Sequence, residues 1–200
     1  MAMKRKGSET RQAIVESALQ LFSVKGYHNT SVNDILAATG LTKGGLYGHF
    51  GSKEEIWEAG YRRAVEIWTG IVFRGAGSVS DPLERILHVI GNDLRDYVGG
   101  RVFEGGCIFF NLLVELSGQN QPMAERILRG YDGFSRLLAQ WLDEAKASGK
   151  LRPEADSREI ADFIVVVLNG ATALFTARQD PRVLDQAICQ LRNYLDGWRA

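Results

Sequence analysis

Glycines and capping residues cut the first fifty residues into helices too short to stand alone, and this punctuation constrains the fold more than any other feature. Ile14, Ala18, Leu21 and Phe22 recur at helical spacing after Ser8-Glu9-Thr10, and Gly26 stands where a left-handed cap ends such a helix. Thr30-Ser31 supplies the next N-cap, with Asn33-Asp34 complementing the positive helix end. Val32, Ile35, Leu36 and Ala38 face inward until Gly40, and Thr42 then caps a third helix reaching about His49. Leu46 and Phe50 are its apolar anchors. A short helix joined to another by a tight glycine-containing turn is the helix-turn-helix layout.

The remainder is helical too. Ser52 with Glu55 three residues on forms a capping box opening a long helix through Ile56, Trp57, Tyr61, Val65, Trp68 and Val72. Gly75-Ala76-Gly77 breaks it. Asp81-Pro82 starts a helix to Val98, Cys107 one to Leu116, and Pro122 one to Ala147. Two last helices are expected over about 157–178 and 181–197. The fold class is all-α: a helix-turn-helix head over 1–53 and a helical body over 54–200.

Composition narrows the function. Hydrophobic residues make up 45% and charged residues 24%, ordinary values for a globular protein. The longest dense apolar stretch, Phe163 to Leu168, is short of a membrane span, and the basic start lacks the apolar segment of a secretory signal. A cytoplasmic protein without membrane partners is expected. Cys107 and Cys189 are far apart, and His28, His49 and His88 form no ligand-like spacing, so neither metal nor cofactor is expected. No nucleophile–base pair and no phosphate loop support an enzyme.

Charge is uneven. Residues 1–53 hold seven basic groups (Lys4, Arg5, Lys6, Arg11, Lys25, Lys43, Lys53) against three acidic ones (Glu9, Glu16, Asp34), while the whole chain carries 24 of each. A basic head on an acidic body suits nucleic acid at one end. Within roughly residues 8–56, Leu-Phe-x-x-x-Gly-Tyr, Thr-Ser-Val-x-x-Ile, Gly-Leu-Thr-Lys-Gly, Leu-Tyr-x-His-Phe and Ser-Lys-Glu-Glu follow in order. This run resembles the DNA-binding domain of the TetR/AcrR family of transcriptional regulators. The resemblance implies a homodimer that binds double-stranded operator DNA and responds to a small-molecule effector, most often as a repressor.

Thr42, Lys43, Gly44 and Gly45 would then meet base edges in the major groove. By the same resemblance Tyr47 and His49 contact phosphates, with Thr30, Ser31 and Lys53 donating from helix N-termini. His49 has a packing role as its alternative, and Lys4-Arg5-Lys6 is either a salt-sensitive DNA arm or a solubilising tail. Gly45 and Gly48 depart from the family pattern and lower helix propensity.

In the body, Trp68, Phe110, Asn111, Tyr131, Phe134 and Asn169 mix aromatic surface with polar groups as an effector site would, though each aromatic also serves as plain core. The helix carrying Phe163 to Leu168 is apolar all round and needs cover on both sides. Val167, with Leu184, Ile188, Leu191 and Leu195 of the last helix, is the expected dimer seam. The segment Gly106-Cys107-Ile108-Phe109-Phe110-Asn111-Leu-Leu-Val-Glu115-Leu resembles that of a family branch containing cysteine-based sensors of electrophiles or oxidants. Cys107 at a helix N-terminus is a candidate redox sensor, or else a small buried hydrophobe. An activator with the same head is a further alternative.

Overall fold

The computed structural model describes residues 2–200, with side chains from Gly7 onward; the side chains of the Lys4-Arg5-Lys6 arm lie outside the described residues. Among the described residues nine α-helices follow in order: α1 (Ala2–Lys25), α2 (Val32–Thr39), α3 (Lys43–Tyr47), α4 (Lys53–Val72), α5 (Pro82–Gly91), α6 (Ile108–Leu116), α7 (Gln121–Ala147), α8 (Ser157–Arg178) and α9 (Arg182–Asp196). α5 runs directly into a wider π-type stretch, Asn92–Val98. No strand occurs among the described residues, and the all-α reading holds.

The expected caps set the boundaries. The Ser31 hydroxyl accepts from the Asp34 N–H, and the Asp34 carboxylate accepts from the Ser31 N–H, a complete capping box at α2. Gly40 ends that helix at φ 67°. Thr42 caps α3 through the Gly45 N–H at 3.2 Å. At α4 only half of the expected box forms: Ser52 accepts from the Glu55 N–H, whereas the Glu55 carboxylate turns to the Gly51 N–H.

Ile14, Ala18, Phe22, Ile35, Leu46 and Phe50 are at most 2% exposed and form the core of the head. Ile56 and Trp57, from the first turns of α4, are as deeply buried, so α4 is common to head and body.

In the body, α7, α8 and α9 stack in sequence, with α5 against α7 and α9. α8 is long and apolar enough to cross a bilayer by length and composition alone, a property that counting its longest unbroken apolar run did not capture. Its inner face (Ile160, Ile164, Leu168, Phe175) is buried, while Phe163, Val166 and Leu174 are 44%, 66% and 47% exposed. Leu184, Ile188, Leu191 and Leu195 of α9 are buried within this same subunit. They are therefore its own core rather than the expected dimer seam: their stripe is spent covering α8 and α5.

Head and body are joined at α6. The Glu115 carboxylate accepts from the backbone N–H of Tyr27 at 2.7 Å and of His28 at 2.8 Å. Gly26 sits there at φ 81°, where a Cβ would lie 2.6 Å from Glu115 Oε2, so only glycine gives the left-handed turn and the close approach together. One turn earlier the Asn111 amide donates to the Gly105 carbonyl at 2.6 Å, and the Gly105 N–H donates to Ser23 Oγ. Replacing Glu115 by Ala leaves two backbone donors without a partner, a loss of about 1–3 kcal/mol. Denaturant unfolding is expected to show that loss, with faster amide exchange at Tyr27 and His28.

Candidate nucleic-acid interface and ligand cavity

Lys43, Gly44, Tyr47 and Gly48 lie exposed along α3, with Thr42 exposed at its cap and Ser31 at the start of α2. Tyr47 is 51% exposed although its neighbour Leu46 is wholly buried. Gly44 has nothing within 4 Å of where a Cβ would stand. The surface thus offers one cation, one phenol, two cap hydroxyls and bare backbone, a set able to approach a base edge and a phosphate together. His49 is half-buried against the Gly7 turn of α1, and Gly45 is partly covered by Leu41 and Thr42.

Two expected contacts are structural instead. Thr30 is fully buried, and its hydroxyl donates to the Gly26 carbonyl at 2.7 Å. The Lys53 ammonium donates to the carbonyls of Tyr27 and Thr30 at 2.9 and 3.0 Å and lies 4.2 Å from the centre of the Tyr27 ring. Both residues gather the chain between α1 and α2, a use invisible from spacing alone. Arg11, lying over the Phe50 ring at 4.5 Å, packs α1 onto the end of the head.

The body holds a half-open cavity of about 280 Å³ between α4, the π-type stretch, α6, α7 and α8. Trp68, Tyr131, Phe134 and Asn169 line it, as does Cys107; Phe110 and Asn111 do not. Asn111 is turned to the Gly105 carbonyl and so serves the head–body joint. Phe109 lines the cavity too, and Tyr61 and Asp93 belong to the wall without having been expected there from sequence. Trp68 is the hub of the rings, edge-to-face on Phe134 at 5.1 Å and on Phe109 at 6.3 Å. Tyr131 donates to Asn169 Oδ1 at 2.9 Å, and the Asn169 amide donates to the Val165 carbonyl at 2.8 Å, which fixes both polar groups.

Asp93 had a signal that went unread. It shares a helical face with Ile86, Ile90 and Tyr97, all buried, and an acidic residue on such a stripe needs an explanation. Its Oδ1 accepts from the Trp68 indole N–H at 2.8 Å. Among the described residues no cation pairs with it. Burial pushes its carboxyl up to about 6, against a smaller lowering by the Trp68 hydrogen bond. Of the two readings of Cys107, the geometry favours the small buried hydrophobe: burial, with the Asp93 carboxylate beside it, pushes the thiol up to about 11 despite backbone N–H groups from Phe110 and Phe109. A raised value disfavours the thiolate that a helix-terminal sensor needs at neutral pH.

The sign of the Asp93 effect is fixed by the raised value. The folded state holds the proton more tightly than the unfolded one, so this group favours folding below pH 4 and opposes it increasingly as pH rises through about 6. Asp93→Asn keeps the acceptor for Trp68 and removes the buried charge. Thermal or denaturant unfolding is expected to show a gain approaching roughly 3 kcal/mol at pH 8 that vanishes near pH 4.

Comparison with known proteins agrees with this geometry. Residues 82–191 match the family model described as "Tetracyclin repressor-like, C-terminal domain", and residues 14–59 match "Bacterial regulatory proteins, tetR family". The transcriptional repressor DhaR of Mycobacterium sp. (strain GP1) is 26% identical over 180 residues, spanning 88% of this chain and 87% of that protein. The regulator AcrR of Shigella flexneri is 46% identical over 147 residues, 70% of this chain and 67% of that one. A crystal structure of a TetR transcriptional regulator from Chloroflexus aurantiacus J-10-FL superposes with a TM-score of 0.91 at 31% identity, covering 98% of both chains. With a helix-turn-helix head, a helical body matched along most of its length and this likeness across the whole chain, the protein belongs to the TetR family of DNA-binding transcriptional regulators.

Proposed function

We propose that this regulator is a repressor: a two-fold dimer holds operator DNA through its paired α3 helices and releases it when a small molecule fills the cavity in the body. The observation that carries this reading is the position of α6. The N-cap residue Cys107 and the first-turn residue Phe109 wall the cavity, while Asn111 and Glu115 hold the joint to the head. A ligand that moves the start of this nine-residue helix acts on the grip at its other end, since packed helices shift as units.

The switch is a population shift between head orientations. Two recognition helices match operator half-sites only at about one helical turn apart, ~34–36 Å. A ligand that prefers another separation lowers DNA affinity by no more than its differential affinity for the two geometries. Lys43 and Tyr47 are the principal side-chain contacts on α3, assisted by Thr42, Gly44 and Ser31. The domain division falls at the start of α4, whose first turns pack in the head.

The dimer forms through α8. Phe163, Val166 and Leu174 make an exposed apolar stripe whose spacing also includes Gly170. The Phe163 ring lies 4.7 Å from that of Tyr194 on α9. Such a stripe on a helix already covered on its other face suits an isologous helix-pair interface, with half-buried Val167 at its edge. This keeps α8 from the expected four-helix interface and replaces the four buried α9 residues by the outer face of α8.

Two experiments test these readings. Selection against a random duplex library in moderate salt is expected to recover a palindrome, and the Lys43→Ala/Tyr47→Ala variant to lose it while keeping the wild-type melting temperature; failure to enrich any sequence, before and after ligand-stripping refolding, rejects the regulator reading. Light scattering on Val166→Glu is expected to give a folded monomer. A dimer of unchanged mass would place the interface elsewhere.

A further inference from the structure

Taking the cavity as the effector site proposed above, we infer that the effector is a compact organic cation, a quaternary or protonated amine whose positive group sits against Asp93 among the rings of Tyr61, Trp68, Phe109, Tyr131 and Phe134. Three observations converge on that chemistry. The first is charge. Asp93 lines the cavity at 8% exposure and, among the described residues, has no ion pair and one hydrogen bond, from Trp68 to Oδ1. None of the lining residues is Lys, Arg or His. The nearby Arg126 guanidinium lies 5.1 Å over the Tyr61 ring, outside the lining, and is paired with Glu58 at 3.1 Å. A buried carboxylate costs several kcal/mol unless a counter-charge reaches it, and in this cavity only a ligand can bring one.

The second is the wall. Aromatic faces carry partial negative charge, and rings grouped around a site favour cations, above all quaternary ammonium groups that cannot be solvated by hydrogen bonds. Here edge-to-face packing fixes Trp68 against Phe109 and Phe134, and Phe109 against Tyr61 at 5.8 Å. The third is the disposition of the phenols and the amide. Tyr61 donates to the Arg126 carbonyl, Tyr131 to Asn169, and Asn169 to the Val165 carbonyl, so these three donors are already used and are not turned toward an anion. An inorganic metal ion is not accommodated: no group of three or more His, Cys, Asp or Glu side chains gathers there among the described residues. An anionic effector would place its charge beside Asp93 with no cation to receive it.

The test uses calorimetric titration of the intact protein with benzyltrimethylammonium, with its neutral carbon isostere neopentylbenzene, and with 4-phenylbutyrate. The wild type is expected to bind the cation at least about tenfold more tightly than the isostere and not to bind the anion. Asp93→Asn is expected to bring that preference down to about threefold or less while leaving isostere binding in place. Phe109→Leu, which removes a ring without touching the carboxylate, is expected to weaken the cation more than the isostere, whereas simple loss of packing would weaken both alike. Equal or stronger binding of the isostere or the anion, no cation binding at millimolar concentration, or a cation preference that survives Asp93→Asn overturns the inference. Operator release, followed by mobility shift, separates it from the regulator reading. Cation binding with the stated preference but without release keeps the cation site and rejects its role as the switch. Release caused only by neutral or anionic compounds does the reverse.

Discussion

The carboxylate of Glu115 is the bond on which the two halves of this molecule depend. It reaches across 88 residues of sequence to the N–H groups that follow α1, where the departing helix leaves peptide groups in need of partners. Gly26 makes the approach possible by turning left-handed with no side chain in the way. On the same helix Asn111 secures Gly105, whose own backbone lies so close to Ser23 that a Cβ would meet the Ser23 carbonyl at 1.9 Å. Three chain segments are thereby locked beside the apolar core that head and body share through α4. Polar joints of this kind have direction and reach, so they hold one geometry firmly and give way when their donors and acceptors are displaced by a fraction of their length.

A second constraint sits at the other end of α6. The fold keeps a carboxylate where water is scarce and satisfies it with a single indole N–H. Replacing a buried charge by a neutral isostere commonly stabilises a protein, and stability is therefore a poor reason for Asp93 to be there. The local helix geometry points the same way. Asp93 lies in the π-type stretch, where the Gly99 N–H bonds to the Leu94 carbonyl five residues back. Such wider turns are less favourable than α-helix and recur at functional sites. Unfavourable backbone and unfavourable charge coincide at the cavity wall beside Cys107, where α6 starts on its way to the head.

Much of this architecture was legible in the sequence because it is written in local signals. Ser31, Thr42, Ser52 and Asp81 cap the helices they were expected to cap, since a capping bond spans only two or three residues. Trp68, Tyr131, Phe134 and Asn169 were found as aromatic and polar residues on apolar helices, and the fold brings them together. What failed depends on tertiary direction. Thr30 and Lys53 have the composition of phosphate ligands but face a loop closed by other chain segments. The α9 leucines form a seam, yet periodicity cannot tell whether the neighbour is a second subunit or α8 of the same one. Asn111 was expected at the effector site, and Glu115 stood only within the Gly106–Leu116 segment; that they hold the Gly105 carbonyl and the backbone N–H groups of Tyr27 and His28 could not be inferred from spacing.

The poor helix propensity of α3 also finds its place in this scheme. Gly44 and Gly45 lie within five residues, with Gly48 as the cap, and each costs about 1 kcal/mol against Ala. Little inside α3 holds it: one capping hydroxyl at Thr42 and one buried side chain, Leu46. Its orientation is therefore borrowed from the head core around Ile14, Phe22, Ile35 and Phe50. That core is in turn tied to α6 through the end of α1. A recognition helix built this way does not need to bend or unfold to leave its groove. In the switch proposed above, a shift of the joint at Glu115 turns the head as one body and carries α3 with it, so that a small displacement at the cavity becomes a change in the separation of the two recognition helices.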